Sequence, residues 1–183
     1  WLVTLFVPPR RIPRLDFSAG IPPDCRTLIA VPTLLTSARD ISAQVEQLEI
    51  AYLANRDRHL HFALVTDWRD AAEESTAGDQ ELLEQARDEI AALGAKYRDE
   101  RADIFFLFHR PRLWNPREAT WMGFERKRGK LAALNAYLRG GARDAFSLVV
   151  GDTQHLAQVK FVISLDADTQ LPRDAAAQLV GAM

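Results

Sequence analysis

Cysteine is almost absent from this chain. Cys25 is the only one among 183 residues. An intrachain disulfide is therefore impossible, and a reducing compartment is the natural setting. Zinc-type ligand patterns are missing too, because His59, His61, His109 and His155 do not fall at metal-binding spacing. No charge excess exists to hold a nucleic acid: 23 basic residues face 25 acidic ones, for a net charge of −2. The apolar opening Trp1 to Val7 is far shorter than the roughly twenty residues that cross a bilayer. Repeats and low-complexity tracts are lacking, which excludes a solenoid.

What is present is an ordinary globular composition, 48% hydrophobic and 26% charged, in a length that supports one domain with a real core. The charge is unevenly spread. Asp67 to Asp103 holds twelve acids against five bases, whereas His109 to Lys130 holds seven bases against two acids. A basic stretch in a slightly acidic chain points to a local anionic ligand.

Residues 1–26 read as a connector rich in proline and basic side chains. Trp1 to Val7 reads as a short strand or a disordered end, or as the end of a membrane-spanning helix, with Arg10, Arg11 and Arg14 then marking its cytoplasmic side. The chain starts at Trp1 and stops inside an expected helix, so a longer protein is expected.

From Thr27 onward, strand and helix patterns alternate. Thr27 to Val31 predicts a buried strand ended by Pro32. A helix follows, capped by Ser37 or Asp40, with Ile41, Val45, Leu48 and Tyr52 on one face. His61 to Thr66 predicts the second strand, ending at Asp67. Asp79 is the expected cap of a helix with Ala86, Ile90 and Leu93 inward and Gly94 as its stop. Ile104 to Phe108 is apolar throughout and should be buried on both faces. Residues 110–125 read as a long loop, expected to cover a ligand site and to order when the ligand binds. A helix opening at Arg128-Gly129-Lys130 carries Leu131, Leu134 and Leu138. Phe146 to Val150 is a possible short strand, and Phe161 to Leu165 is the last. Pro172 then opens a helix with Ala175, Leu179 and Met183 at helical spacing. Alternation of this kind implies right-handed βαβ crossovers: an α/β fold with a mostly parallel sheet and helices on both faces.

Ligands of such sheets bind where strands end. Four groups should converge there: Pro32 and Thr33, Asp67, Lys130 at a helix start, and the pair Asp166 and Asp168. Two carboxylates one residue apart repel unless a cation or water lies between them. Oxygen donors of this kind suit Mg²⁺, Mn²⁺ or Ca²⁺, and magnesium takes one or two carboxylates and completes its shell with water and phosphate. Lys130 and a helix N-terminus favour phosphate. Asp67 could accept hydrogen bonds from a ribose or a base.

The order Asp67, then Gly129-Lys130-Leu131-Ala132-Ala133-Leu134-Asn135, then Asp166-Ala167-Asp168 resembles the donor-binding half of a GT-A glycosyltransferase of the family-2 type. Leu60 to Trp68, Trp121 to Lys130 and Leu165 to Arg173 are similar, more specifically, to the glycosyltransferase domain of bacterial cyclic β-1,2-glucan synthases. That resemblance implies a Rossmann-like GT-A fold of which this chain is the N-terminal half. It implies UDP-glucose as donor, a growing β-glucan as acceptor and inverting transfer. It also implies a parent protein in the bacterial inner membrane, with this domain, residues 27–183, on the cytoplasmic face. Asp67 would contact the uridine, and Asp166 and Asp168 the ribose, metal and diphosphate. Arg128 departs from the asparagine common at its position, and the acidic base and Gln-x-x-Arg-Trp motifs of the family would lie beyond residue 183. Two other readings fit fewer features. Asp166-Ala167-Asp168-Thr169 also matches the nucleophile motif of haloacid-dehalogenase-type phosphatases, although three βα units precede it here, and a non-catalytic nucleotide-binding module is the third.

Overall fold

The computed structural model describes residues 13–141 and 143–183. The expectations for Trp1 to Val7, Arg10 and Arg11 lie outside these residues. The chain forms β1 (Thr27–Leu35), α1 (Ala38–Ala54), β2 (Leu60–Trp68), α2 (Asp79–Lys96), β3 (Phe105–His109), β4 (Leu113–Asn115), β5 (Thr120–Met122), α3 (Arg126–Leu138), β6 (Leu148–Val150), β7 (Phe161–Ser164) and α4 (Ala175–Gly181). The main sheet has the order β6-β3-β2-β1-β7. Strands β3, β2, β1 and β7 are parallel, and β6 runs antiparallel at one edge, with Leu107 opposite Val150.

Strand residues alternate between two cores. Ile29, Phe62, Leu64, Phe105 and Leu107 face α1, α2 and α4, packing on Ile41, Leu48, Ile90 and Val180. Leu28, Ala30, Ala63, Val65, Phe106 and Phe108 face α3 and meet Leu134 and Leu138. Both faces are apolar because both are covered, as parallel strands require. The four expected runs do share one sheet. The edge strand β7 is less enclosed than expected, with Phe161 and Val162 half-buried and Ser164 exposed.

Several expectations are corrected. Pro32 does not end β1, which continues to Leu35 and pairs with β2 along its whole length, from Thr27 opposite Leu60 to Leu35 opposite Trp68. A proline is tolerated there because β7 pairs only as far as Ala30, so no ladder partner is lost beside Pro32. Ser37 is the cap of α1, accepting the Asp40 N–H at 3.2 Å. Gly78 takes the cap position of α2; Asp79 is its first residue, and its carboxylate accepts the Thr76 N–H at 2.8 Å. Gly94 lies inside α2. The buried face of α4 is Ala176 and Val180, while Leu179 and Met183 are exposed. Arg14 and Leu15 of the connector bond to α4, through Gln178 and the Gly181 carbonyl.

The largest correction concerns residues 110–125. They form a hairpin, β4–β5, with Trp114 opposite Trp121, rather than a structureless loop. Asn115 closes its turn by accepting the Arg117 N–H at 3.0 Å. Trp121 exchanges backbone hydrogen bonds with Ala71 at 2.9 Å, and the buried Arg112 donates to the Arg69 carbonyl at 2.7 Å and pairs with Asp79. The hairpin is thus fastened to the segment that follows β2.

Candidate functional site

The carboxyl edge of the sheet holds a buried charge cluster built from three strands' ends and one helix. Asp67, at the end of β2, is 1% exposed. Its Oδ1 accepts from Arg110 Nε at 2.7 Å and its Oδ2 from Arg110 Nη2 at 2.9 Å, a two-pronged pair. Lys130 Nζ lies 3.2 Å from the same Oδ2. It also donates to the Thr33 carbonyl of β1. Arg110 immediately follows β3, so β1, β2 and β3 each send one group to the same point. Of the expected site residues, Thr33, Asp67 and Lys130 are brought together, and Pro32 is buried one residue before Thr33.

Two cations and one anion leave the cluster with one excess positive charge in a buried place. Burial pushes the Lys130 pKa below its ordinary value; Asp67 opposes that shift and Arg110 adds to it. An anionic ligand would balance the excess. Behind Asp67, Trp68 stacks edge-on to His109 with ring centres 4.5 Å apart, and Arg112 sits over the Trp68 ring at 5.4 Å. His109 Nδ1 is 2.9 Å from the Thr66 hydroxyl. Burial pushes the His109 pKa down to about 4. The imidazole is therefore neutral at physiological pH.

Helix α3 opens at Arg126, two residues earlier than expected, so Gly129 lies within its first turns. A Cβ at Gly129 would stand 2.1 Å from the Phe124 carbonyl, which excludes any larger residue. The entry is strained: Glu125 and Arg126 have φ of 55° and 46°, and Arg110 Nη2 holds the carbonyls of Phe124 and Arg126 at 3.2 and 3.3 Å. No acid lies in the first turn of α3, which instead carries Arg126, Lys127 and Arg128. Bases at a helix N-terminus add to the positive end of the helix dipole and oppose helix stability. That arrangement makes sense when an anion is bound there.

Asp166 and Asp168 follow β7 on a turn closed by the Thr169 N–H to the Asp166 carbonyl, 2.9 Å. Both carboxylates are exposed. Lys127 pairs with Asp166. One turn of α3 thus joins the two halves of the edge, Lys127 to Asp166 and Lys130 to Asp67. No group of three or more metal-type side chains is found among the described residues. Sequence reasoning missed Arg110 and Lys127. Arg110 could have been noticed as a base directly following a wholly apolar strand; Lys127 is lost within the run Arg126 to Lys130.

With this geometry in view, the chain is 46% identical over 178 residues, 97% of its length, to the cyclic β-(1,2)-glucan synthase NdvB of Rhizobium meliloti (strain 1021). The chain is thus closely similar to one segment of a cyclic β-(1,2)-glucan synthase. It spans 6% of that synthase's length. No protein-family model matches the chain. Its α/β architecture, with four parallel strands and helices on both faces, is Rossmann-like, as the glucan synthase resemblance implies. No helix among the described residues is long and apolar enough to cross a membrane.

Proposed function

We propose that this edge is the donor site of an inverting glycosyltransferase that uses UDP-glucose to extend β-1,2-glucan, working within a bacterial inner-membrane protein on its cytoplasmic face. The observation that carries the reading is the convergence of Thr33, Asp67 and Lys130 beside the basic opening of α3, in a relative of a cyclic β-(1,2)-glucan synthase. Asp67 would recognise the uracil, with Arg110 and Lys130 fixing its carboxylate. Lys127 and Lys130, with the α3 N-terminus, attract the diphosphate.

Asp166 and Asp168 fit a divalent cation, Mg²⁺ or Mn²⁺. Their turn is exposed, and one or two carboxylates completed by water and phosphate are what magnesium commonly takes. Such a cation, when bound, supplies charge neutralisation on the departing diphosphate. The chain's own residues orient the donor and stabilise that developing charge. The acceptor hydroxyl needs a carboxylate base. Asp174 is the only acid after Asp168, and its backbone N–H bonds to the Ala54 carbonyl at the far end of α1. We therefore place the base beyond residue 183 and expect no sustained transfer by this chain alone.

Titration with UDP-glucose, ADP-glucose and GDP-glucose tests the proposal. A preference for the uridine donor that disappears in Asp67→Asn is expected. Equal binding of all three donors by the unaltered chain would sink it.

A further inference from the structure

The opposite edge of the sheet carries a second constellation. Residues that precede β1, β2 and β3, and residues that follow the antiparallel β6, must meet there. Arg26, Arg58, His59, Arg101, Asp103 and His155 line a cavity of about 400 Å³ at this edge, which Asp152 completes. Two adjoining cavities, of about 750 and 460 Å³, share Arg58 with it. One furrow therefore runs along the amino edge with the Arg58 side chain at its centre.

Four carboxylates of the furrow are already engaged. Asp57 accepts the N–H groups of Ile21 and His59 at 2.8 and 2.7 Å. Asp103 lies 2.5 Å from Arg101 Nε, and Asp152 accepts the Gln154 N–H at 3.1 Å. Glu100 accepts the Tyr52 hydroxyl at 2.5 Å and lies 3.5 Å from Arg56. Arg101 is also committed, since it donates to the carbonyls of Asp57, Arg58 and Leu60.

Arg26 and Arg58 are different. Arg26 Nη1 lies 3.0 Å from His61 Nε2, and His61 Nδ1 is 2.5 Å from the Asp103 carbonyl. The carbonyl can only accept, so His61 carries its proton on Nδ1 and presents Nε2 as an acceptor. A fully buried neutral imidazole thus holds the Arg26 guanidinium from behind. Arg26 Nε is nevertheless buried with no acceptor. Among the described residues, the exposed Arg58 side chain makes no ion pair or hydrogen bond. A buried donor without an acceptor is unfavourable, and Arg26 and Arg101 share the single carboxylate of Asp103, with Arg26 Nη1 3.9 Å from it, while Arg58 has none; that imbalance beside a cavity calls for an anion.

We infer that this furrow is a second anion site, which takes a phosphate group on Arg26 and Arg58. It is distinct from the nucleotide site, because the nine residues of β1 separate the two edges by roughly 26 Å. The phosphate could belong to a small soluble phosphate compound or to a lipid headgroup, and the two sources are separable.

The test follows the ring signals of His59 and His155 by NMR while the chain is titrated with inorganic phosphate, alongside calorimetry. Both rings should shift, and UDP should not compete. Arg58→Ala should weaken phosphate by at least about tenfold, the loss of one charge-assisted hydrogen bond. The Arg58 side chain makes no ion pair or hydrogen bond among the described residues, so Arg58→Ala leaves the structure intact, and Arg26→Gln should act in the same direction. Sedimentation with phosphatidylglycerol and with phosphatidylcholine vesicles then assigns the source. Binding to the anionic vesicles that Arg58→Ala abolishes means a lipid phosphate; phosphate binding without vesicle binding means a soluble one. Unmoved histidine signals, unchanged affinity in Arg58→Ala, or displacement of phosphate by UDP would each overturn the inference.

Discussion

Gly123 lies so close to Asp67 that a methyl group in place of its hydrogen would stand 2.5 Å from both Cγ and Oδ2 of the carboxyl group. The exit of the hairpin therefore packs directly against Asp67, and only glycine permits it. Gly123→Ala must push either the carboxylate or the strained entry to α3 out of place. Overpacking of this kind costs about 1–3 kcal/mol. Urea denaturation should show that loss, and UDP affinity should fall with it. An unchanged midpoint would mean that the segment has room to move away from Asp67.

Arg110 is expected to matter more for stability than any exposed ion pair in the chain. Removing one partner of a buried pair leaves an uncompensated charge and costs about 3–5 kcal/mol. Arg110→Leu should lie in that range, softened by the remaining Lys130. Adding Asp67→Asn to it should cost further, because Lys130 then loses its carboxylate, but less than Asp67→Asn costs alone, where two buried cations are orphaned. A double-mutant cycle in urea measures this, and strict additivity would contradict the pairing.

Two buried imidazoles set the acid limit. Burial pushes both His61 and His109 down to about 4, from an ordinary value of 6.5. Below pH 6.5 the unfolded chain takes up protons on these rings, and the folded chain does not until about pH 4. Stability is therefore full above pH 6.5 and falls as pH drops toward 4, by up to roughly 3 kcal/mol for His109. Urea midpoints measured from neutral pH downward should follow that course, and His109→Gln should flatten part of it. A midpoint that stays constant to pH 5 would contradict the burial of these rings.

The strands and their order were legible because short apolar runs alternate with helical spacing, as in His61 to Thr66 and Ile104 to Phe108. So was the convergence of Thr33, Asp67 and Lys130, since strand ends share one edge. The hairpin was not. Its strands are three residues each, too short to show period-two alternation, and its stability comes from Arg112 and Ala71, which are distant in sequence. Arg110 as the partner of Asp67 was hidden for the same reason: the contact spans 43 positions. Local pattern also failed at Pro32, where tolerance depends on where the neighbouring strand stops.

Lys127 and Asp166 form an exposed pair, and such pairs contribute about 0–1 kcal/mol. Lys127→Ala should therefore leave the unfolding midpoint nearly unchanged. It should tighten divalent-cation binding, because the ammonium group occupies the carboxylate that a metal would use. Calorimetry with Mn²⁺ reads this directly. Weaker metal binding in Lys127→Ala would show that Asp166 does not serve the metal.

The most direct measurement is calorimetry of UDP binding with and without Mg²⁺ or Mn²⁺, on the unaltered chain, Asp168→Asn and Asp67→Asn. A diphosphate bound at this edge would carry the same sign as Asp166 and Asp168, so the proposed donor site calls for a cation between them. The account expects weak UDP binding without metal and tighter binding with it. Asp168→Asn should lose most of that dependence, and Asp67→Asn should bind UDP more weakly while keeping it. Equal UDP affinity with and without metal in the unaltered chain would contradict the account.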